Sequence, residues 1–414
     1  MRFPVIVLIL LFVFTACICA YILKDINSYA SRPNRKRIAR IFVIVMVLMF
    51  GVLALGVALP RDGSCDDVLP VMWIIFSYST VLIAGTVYCL CSLIGRLINL
   101  GSRRLVNFGA MVGVPLAILV FLIMWWGVLY TRHDTQVREL AVESPRVPAN
   151  FNDYTIVQIS DAHVGTWGND TSFISKLVTE INNLKPDAIV FTGDIVNRKT
   201  SELEPFRKVF ARLKAKDGVF SILGNHDYGD YVYWESDDAK VKNLQKLKDW
   251  QTEMGWTMLN NSHAFLHRGN DSIAMIGVEN WGEPPFKQYG NLRTALTTPD
   301  RRLGSYDDNF KILLTHNPMH WSREVVKKSN IDLTMSGHTH AMQMELDIAG
   351  RRFSPASWRY PEWGGEYKAL SRDSVPMSLY VNIGCGEVGV PMRIGATPEI
   401  TMIKLKSQDP RLHE

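Results

Sequence analysis

Val219-Phe220-Ser221-Ile222-Leu223-Gly224-Asn225-His226-Asp227 decides how the rest of the chain is read. A short β-favouring run stops abruptly at a glycine and three polar side chains. In an open α/β sheet, ligands gather at the carboxyl ends of strands, so polar residues placed there are candidate site residues. Gly, Asn and Asp are also ordinary turn formers. One such turn by itself means no more than a turn. What decides is whether other strands end the same way.

Outward from this stretch, strand-like and helix-like segments alternate from Asp153 onward. Residues 154–159 predict a strand ending in Ser160-Asp161-Ala162-His163. Residues 171–184 predict a helix, with Phe173, Ile174, Leu177, Val178 and Ile181 on one face and Pro186 beyond its end. Residues 188–192 predict a buried strand ending at Gly193-Asp194, and 204–216 and 240–254 predict helices. Strands separated by helices imply parallel βαβ units. Later apolar runs lie at 273–278, 311–315 and 331–336, and beyond Ala341 the segments read as hairpins, with strands at 379–383 and 400–405.

Five strand-like runs thus end in Asp161 and His163, in Asp194, in Asn225 and His226, in His316, and in His338 and His340. A lone histidine after a strand is more often structural, but five of the ten histidines occupy such positions. They point to one cluster of nitrogen and oxygen donors where the strand ends meet. The set holds no thiolate, which argues against a cysteine-type structural zinc site. Imidazoles, carboxylates and one amide suit manganese, iron, zinc or a similar divalent ion. The donors are too many for one four-coordinate ion and enough for two. Two ions roughly 3.5–4 Å apart clamp an in-line displacement at phosphorus.

The series Asp161-Ala162-His163, Gly193-Asp194, Gly224-Asn225-His226-Asp227, His316 and Gly337-His338-Thr339-His340 resembles the full motif set of calcineurin-like metallophosphoesterases, in the family's order, over roughly residues 153–405. The resemblance implies an α/β domain built as a β-sandwich flanked by helices, in four layers αββα. It implies two divalent metal ions, one held by Asp161, His163 and His340 and the other by Asn225, His316 and His338, with Asp194 bridging. It also implies a catalytic pair. His226 faces the scissile phosphate, protonating the leaving oxygen or stabilising the transition state, and Asp227 orients it. The implied reaction is hydrolysis of a phosphoester or pyrophosphate bond by a metal-bridging hydroxide, generated near neutral pH without a protein base.

A narrower resemblance lies downstream. Ile276-Gly277-Val278-Glu279-Asn280-Trp281, Ser336 to His340 followed by Gln343, and Gly389-Val390-Pro391-Met392-Arg393 before Pro398-Glu399-Ile400 are similar to the membrane-associated branch of that superfamily. That branch includes phosphodiesterases and a UDP-diacylglucosamine pyrophosphatase. Many relatives place glycines after the final histidine, where this chain has Ala341-Met342.

Composition divides the chain. Its 414 residues are 47% apolar, enough for more than one domain. Residues 3–23, 41–60, 71–94 and 110–130 are nearly uncharged, and each is close to the ~20 residues that cross a bilayer as a helix. Length, repetition and flanks rich in Arg and Lys argue against buried core helices. The formal charge of +5 splits accordingly, with +7 in residues 1–130 and −2 in the remainder. The basic excess belongs to the membrane loops, and no nucleic-acid footprint is left. No Asp, Glu, Lys or Arg lies deep within a span, so the helices read as an anchor rather than a transport pathway.

Loop charge sets the expected orientation. Lys24, Arg32, Arg35, Lys36, Arg37 and Arg40 crowd the first loop and Arg96, Arg103 and Arg104 the third, while Asp62, Asp66 and Asp67 make the second acidic. Positive loops stay cytoplasmic. The prediction is a multi-pass protein of the cytoplasmic membrane with its N-terminus and everything after Tyr130 outside. Arg2 and the run to Ala20 fit a signal peptide loosely, but cleavage there would turn the Arg-rich loop outward, so the first helix is expected to stay. The organisation expected is an anchor over 1–130, a tether over 131–152 marked by Pro145 and Pro148, and a catalytic domain over 153–414. Cys385 is the only cysteine of that domain, so no disulfide forms within it.

Two aromatic stretches flank the motifs: Tyr228, Tyr231, Tyr233 and Trp234, and later Phe353, Trp358, Tyr360, Trp363 and Tyr367. They either cap the domain's own core or line the pocket mouth and reach the membrane interface, where Trp and Tyr are favoured. The second case suits a lipid-linked phosphate. Tyr228, Trp281 and Arg393 are the substrate-side candidates. Arg393 would grip a phosphate bidentately or serve as a structural ion pair. The competing readings are a hydrolase of soluble phosphodiesters or nucleotides, and a non-catalytic membrane sensor or scaffold that keeps the fold.

Overall fold

The computed structural model of the protein describes residues 5–29, 32–59, 65–100, 106–284, 286–297 and 309–408. Asp62, Arg103 and Arg104, on which the orientation argument draws, lie outside them. The chain divides into two compact units, with the main boundary at Leu129 and Tyr130.

The first unit is helical: α1 (Val5–Tyr29), α2 (Arg32–Ala58), α3 (Cys65–Asn99) and α4 (Phe108–Leu129). Among the described residues, four stretches, Val5–Ser28, Asn34–Ala58, Val68–Asn99 and Phe108–His133, are long and apolar enough to cross a membrane. They run past the ends expected at 23 and 94, and the extra turns are polar. Buried Asp25 on α1 is met by Arg96, Ser92 and Tyr88 from α3. A carboxylate out of water is tolerated only with such partners. At the crossing of α3 and α4, a Cβ on Gly95 would stand 2.5 Å from the Gly109 amide nitrogen. Only glycine lets the two backbones approach that closely.

The second unit opens with β1 (Gln136–Ser144), β2 (Thr155–Ile159), α5 (Ser172–Asn183), β3 (Ala188–Phe191), α6 (Arg207–Phe210), β4 (Val219–Ser221), α7 (Asp237–Glu253) and β5 (Trp256–Met258). It continues through β6 (Ser262–Arg268), β7 (Asp271–Gly277), α8 (Leu292–Ala295), β8 (Phe310–Leu314), α9 (Val326–Lys328) and β9 (Leu333–Ser336). A hairpin, β10 (Leu346–Ile348) and β11 (Arg351–Phe353), precedes β12 (Gly365–Leu370), β13 (Pro376–Val381) and β14 (Glu399–Ser407). Two six-stranded sheets result, ordered β1-β14-β2-β3-β4-β5 and β12-β13-β9-β8-β7-β6.

Alternation of side chains along each strand builds the layers. On β2 and β3, Ile156, Ala188 and Val190 face the second sheet, where Ile312, Leu314 and Met335 meet them. Their neighbours Val157, Ile189 and Phe191 face outward onto Phe173 and Leu177 of α5, Phe210 and Trp250. On the far side, Leu313 and Leu379 pack under Leu292, Trp321 and Val325. Helices thus cover both outer faces of the paired sheets, the four-layer arrangement expected. Strands β2 to β5 run parallel, as do β7, β8, β9 and β13, so their carboxyl ends form one rim on each sheet.

Two expectations are corrected. Residues 136–144, expected as tether, form β1 and pair in parallel with β14 along its whole length. Leu140 and Val142, two residues apart, bury against the inter-sheet core, but the partner strand is more than 250 residues away and leaves no local signal. In place of the helix expected over 204–216 stand a 3-10 stretch, Thr200–Phe206, and one α turn, Arg207–Phe210. Pro205 lacks the amide needed to continue an α-helical ladder there.

Candidate metal centre

Every residue of the strand-end series lies where its strand leaves the sheet: Asp161 and His163 after β2, Asp194 after β3, Asn225 and His226 after β4, His316 after β8, His338 and His340 after β9. The turns that aim them are tight. A Cβ on Gly224 would stand 2.2 Å from Asp194 Oδ1, and one on Gly337 2.0 Å from Ser160 Oγ. Asp161, His163, Asp194, His338 and His340 all hold left-handed φ angles between 40° and 78°. Non-glycine residues persist there only when their surroundings over-determine them, a pattern that clusters at functional sites.

The donor atoms converge. His340 Nε2 lies 3.2 Å from Asp161 Oδ1 and 3.1 Å from His163 Nε2. Asp194 Oδ2 lies 3.1 Å from His316 Nε2 and 3.6 Å from His163 Nε2. Around His316 Nε2 also stand Asn225 Oδ1 and His338 Nδ1, each at 3.2 Å. Among the described residues, three groups have ligand atoms within 4.8 Å of one another: Asp161, His163 and His340; His163, Asp194 and His226; Asp194, His316 and His338. Asp194 and His163 each belong to two groups, which makes the cluster continuous. A set of carboxylates and imidazole lone pairs facing one space repels itself and fits divalent cations.

Partners behind the donors fix which atom points inward. His316 Nδ1 donates to the Thr192 carbonyl at 2.8 Å, leaving Nε2 for the cluster. His338 turns Nδ1 inward while Nε2 meets the Tyr360 hydroxyl at 2.9 Å. The Asn225 amide donates through Nδ2 to the Tyr231 hydroxyl at 2.9 Å, which aims Oδ1 at His316. Burial pushes the Asp161 and Asp194 carboxyls up, but neighbouring histidines, His340 for Asp161 and His316 for Asp194, outweigh it and hold both below the usual carboxylate range. Burial lowers His163, and burial with His316 lowers His338 to about 3. Burial would lower His316 too, yet Asp194 and Asp161 raise it to about 10. The direction of that rise follows from the two carboxylates that face its nitrogen. A cation binding there would displace the proton, as metal binding to such ligands does.

His226 stands at the edge, with Nδ1 donating to the Asn197 carbonyl at 2.7 Å and its ring 4.8 Å from that of His163. The expected partnership with Asp227 is corrected. Asp227 is buried, and its oxygens accept from four backbone amides, those of Gly224, Asp194, Ile195 and Val196. It ties two strand-end turns together and leaves His226 to Asn197. The Asn197 amide in turn donates to Glu202 Oε2 at 2.6 Å, and burial lifts that carboxyl to about 7. Main-chain carbonyls such as those of Thr192 and Asn197 leave no side-chain signal, so sequence reasoning had no means to find them.

The substrate-side expectations fare differently. Arg393 is wholly buried behind His340, donating to the carbonyls of Gly386, Ala396 and Ile383. Its fork is filled by backbone and is not presented to a phosphate. Tyr228 stacks on Tyr289 at 3.8 Å in the interior, and Trp281 stacks on His320 and donates to Glu324 at 3.1 Å. Both are packing residues. A small pocket of about 80 Å³ opens instead among Asn225, Tyr231, Asn280, His338, Arg359 and Tyr360. The two aromatic stretches therefore split: Tyr231 and Tyr360 line the pocket, Trp363 is buried, and Tyr233 and Trp358 are exposed.

Comparison with known proteins agrees with this geometry. The Calcineurin-like phosphoesterase family profile matches residues 154–342. The metallophosphoesterase YkuE of Bacillus subtilis (strain 168) is 31% identical over 282 residues, 66% of this chain and 87% of that protein. The chain belongs to the calcineurin-like metallophosphoesterase family. A transmembrane protein with metallophosphoesterase domain from Danio rerio is 28% identical over 286 residues, 68% of this chain, though the match spans only 60% of that protein's length. Among solved structures, NAD nucleotidase of Haemophilus influenzae is similar at 17% identity over 56% of this chain and 50% of that one, with a TM-score of 0.39. A likeness that loose speaks to neither substrate nor mechanism. After the final histidine of this metallophosphoesterase, Ala341 and Met342, the departure expected from sequence, and Gln343 beyond them hold φ angles of 52°, 47° and 59°. The left-handed run that glycine would adopt freely is here imposed on side-chain-bearing residues.

Proposed function

We propose that this metallophosphoesterase is membrane-anchored and hydrolyses a phosphoester or pyrophosphate bond in a lipid-linked substrate, at the outer face of the cytoplasmic membrane. The observation that carries the hydrolase part is the continuous set of donor groups on the strand ends, which share Asp194 and His163. Asp161, His163 and His340 would hold one divalent ion, and Asn225, His316 and His338 a second, with Asp194 between them. Such ions supply Lewis-acid neutralisation of phosphate charge and a nucleophile at neutral pH. His226, as the imidazolium, would give the leaving oxygen its proton from Nε2, and the Asn197 carbonyl keeps that nitrogen pointed outward by accepting from Nδ1. Tyr231 and Tyr360 fix Asn225 and His338 from the substrate side. The lipid-linked part draws support from four apolar spans in the same chain and from the aromatic wall of the pocket. The outward orientation draws support from loop charge alone.

The test is a hydrolysis panel on full-length protein in detergent, comparing nucleotides, small diesters, glycerolipid phosphates and isoprenoid phosphates with each divalent ion. Metal-dependent release, fastest from the lipids, is expected. Equal rates on soluble nucleotides would remove the lipid linkage, and no release with any ion would leave the scaffold reading.

A further inference from the structure

The β10–β11 hairpin belongs to neither sheet. Its register pairs Leu346 with Phe353, Asp347 with Arg352 and Ile348 with Arg351. Because successive residues alternate between faces, Leu346, Ile348, Arg351 and Phe353 share one face, while Asp347 and Arg352 share the other. The second face is anchored: Arg352 forks onto Glu345 at 2.5 and 2.7 Å and lies over the Trp363 ring at 5.0 Å. The first face is apolar and open, with Leu346 and Ile348 each 61% exposed and Phe353 53%. Trp358, five residues on, is 90% exposed. Scattered apolar residues on a surface need no explanation, but a contiguous apolar face with an aromatic beside it marks an interaction surface.

The chain itself says what covers it. The last apolar helix, α4, ends at Leu129, and β1 begins at Gln136. Arg138, the third residue of β1, pairs with Glu399 at 3.2 Å and reaches Glu345, at the root of the hairpin, at 3.8 Å. Arg138 lies nine residues beyond Leu129, at most about 32 Å of extended chain. Covalent length therefore keeps the hairpin root tethered within that reach of the end of α4. Trp is favoured in the interfacial layer, and an arginine beside apolar side chains sends its guanidinium to the headgroups.

We propose that β10–β11 and Trp358 form a membrane-docking surface, in which Leu346, Ile348, Phe353 and Trp358 enter the interfacial layer and Arg351 meets lipid phosphates. This rests on the membrane reading of the helices and not on the substrate assignment. It has a consequence for the site, because Trp358 is two residues before Tyr360, whose hydroxyl touches His338. Docking sets the pocket rim against the lipid surface, so that a substrate phosphate reaches the metal centre without its tail leaving the membrane.

The experiment uses full-length protein in nanodiscs of phosphatidylcholine and phosphatidylglycerol, with an environment-sensitive NBD probe on Ile348→Cys. The control probe is on Lys368→Cys, an exposed position beside Glu143 at the far end of β1. The identically treated parent chain supplies the background from native cysteines. The expected result is blue-shifted emission at 348, strongly quenched by nitroxide-bearing lipid, with neither effect at 368. A second variant, Leu346→Glu with Phe353→Glu, should abolish the quenching at 348 while metal content, measured on the same sample, stays at the parent level. Water-like emission at 348, or protection only in discs that hold two copies, overturns the proposal. No turnover enters the readout, so failed docking leaves the hydrolase reading standing, and absent hydrolysis with intact quenching sinks only the substrate reading.

Discussion

Asp161, Asp194 and His316 sit two or three residues beyond strands whose ladders fix the backbone, whereas Tyr231, Arg359 and Tyr360 hang on long connections joined to the sheets only at their ends. The first set is buried, and its geometry is closed by main-chain bonds from neighbouring strand ends, such as His226 N to Asp194 Oδ1 at 2.8 Å and His338 N to Asp161 Oδ2 at 3.0 Å. The second set is half exposed, and side chains close it, such as Arg359 on Glu283 at 2.8 Å. In the function proposed here the floor would carry chemistry that tolerates little change, and the rim a shape that loops can vary. This division predicts where substitutions act on metal, on stability, or on neither.

The largest effect belongs to the floor. Asp194→Asn removes the carboxylate shared between two donor groups. Lewis-acid stabilisation is worth several kcal/mol, so at about 1.4 kcal/mol per decade kcat should fall by roughly 10³-fold. Elemental analysis of the same sample should find metal lost as well. Full metal content with full activity would erase the distinction between floor and rim.

Asp227→Ala sharpens it differently, since this residue supports the floor without facing it. Four buried amides lose their acceptor, at about 1 kcal/mol each, and thermal unfolding of the metal-free protein should reveal a loss of roughly 4 kcal/mol. A variant of unchanged stability with only a shifted pH–rate profile would restore Asp227 as a partner of His226.

Glu202 extends the same logic one step back, through Asn197 to His226. Burial raises its carboxyl from 4.5 to about 7. The neutral acid is the form the fold favours, so its stabilisation is complete below pH 4.5 and is lost as pH rises through 7. Integrated over that window the loss is at most about 3 kcal/mol. Glu202→Gln should flatten the slope of stability between those pH values while hydrolysis stays metal-dependent. An unchanged slope would place the titration elsewhere.

Tyr360→Phe is the matching change at the rim. It removes the hydroxyl against His338 Nε2 and nothing from the inner side. Partners of this kind are worth ~10-fold in metal affinity, so a chelator titration should register about that shift, with fold and stability unchanged. A shift as large as that of Asp194→Asn would make the rim part of the floor.

The floor was legible because donor chemistry restricts residue type. Asp161, Asp194, Asn225, His316, His338 and His340 are polar side chains at the ends of apolar runs, and each run is short enough to see. The support behind them was not legible, because Thr192 and Asn197 act through carbonyls that every residue owns. Asp227 misled for a related reason: adjacency to His226 in sequence suggested a pair, while the turn sends its carboxylate to backbone amides. Arg393 misled because a cation near a phosphoesterase motif suggests a phosphate clamp, and only packing reveals that carbonyls occupy its fork. Strand β1 escaped because, among the described residues, its sole strand partner is β14, more than 250 residues away.

The smallest effect tests where floor and rim join. Met342 follows the last ligand candidate by two residues, holds φ at 47°, and leaves its side chain 44% exposed. A left-handed conformation costs a non-glycine residue roughly 1–2 kcal/mol, and glycine's greater freedom in the unfolded chain returns up to about 1 kcal/mol of that. Met342→Gly should therefore stabilise the fold by under about 1 kcal/mol, visible as a small rise in the thermal midpoint. Ala341 offers no such clean test, because its methyl is fully buried against Ala356 and Trp363. If the strained run serves only to turn the chain from β9 toward the hairpin, metal affinity at His340 should not move with Met342→Gly. If the strain holds His340 in place, relieving it should raise the midpoint and weaken metal binding together. Those two readouts moving in opposite directions would mark residues 340–343 as floor, although in sequence they read as the start of a loop.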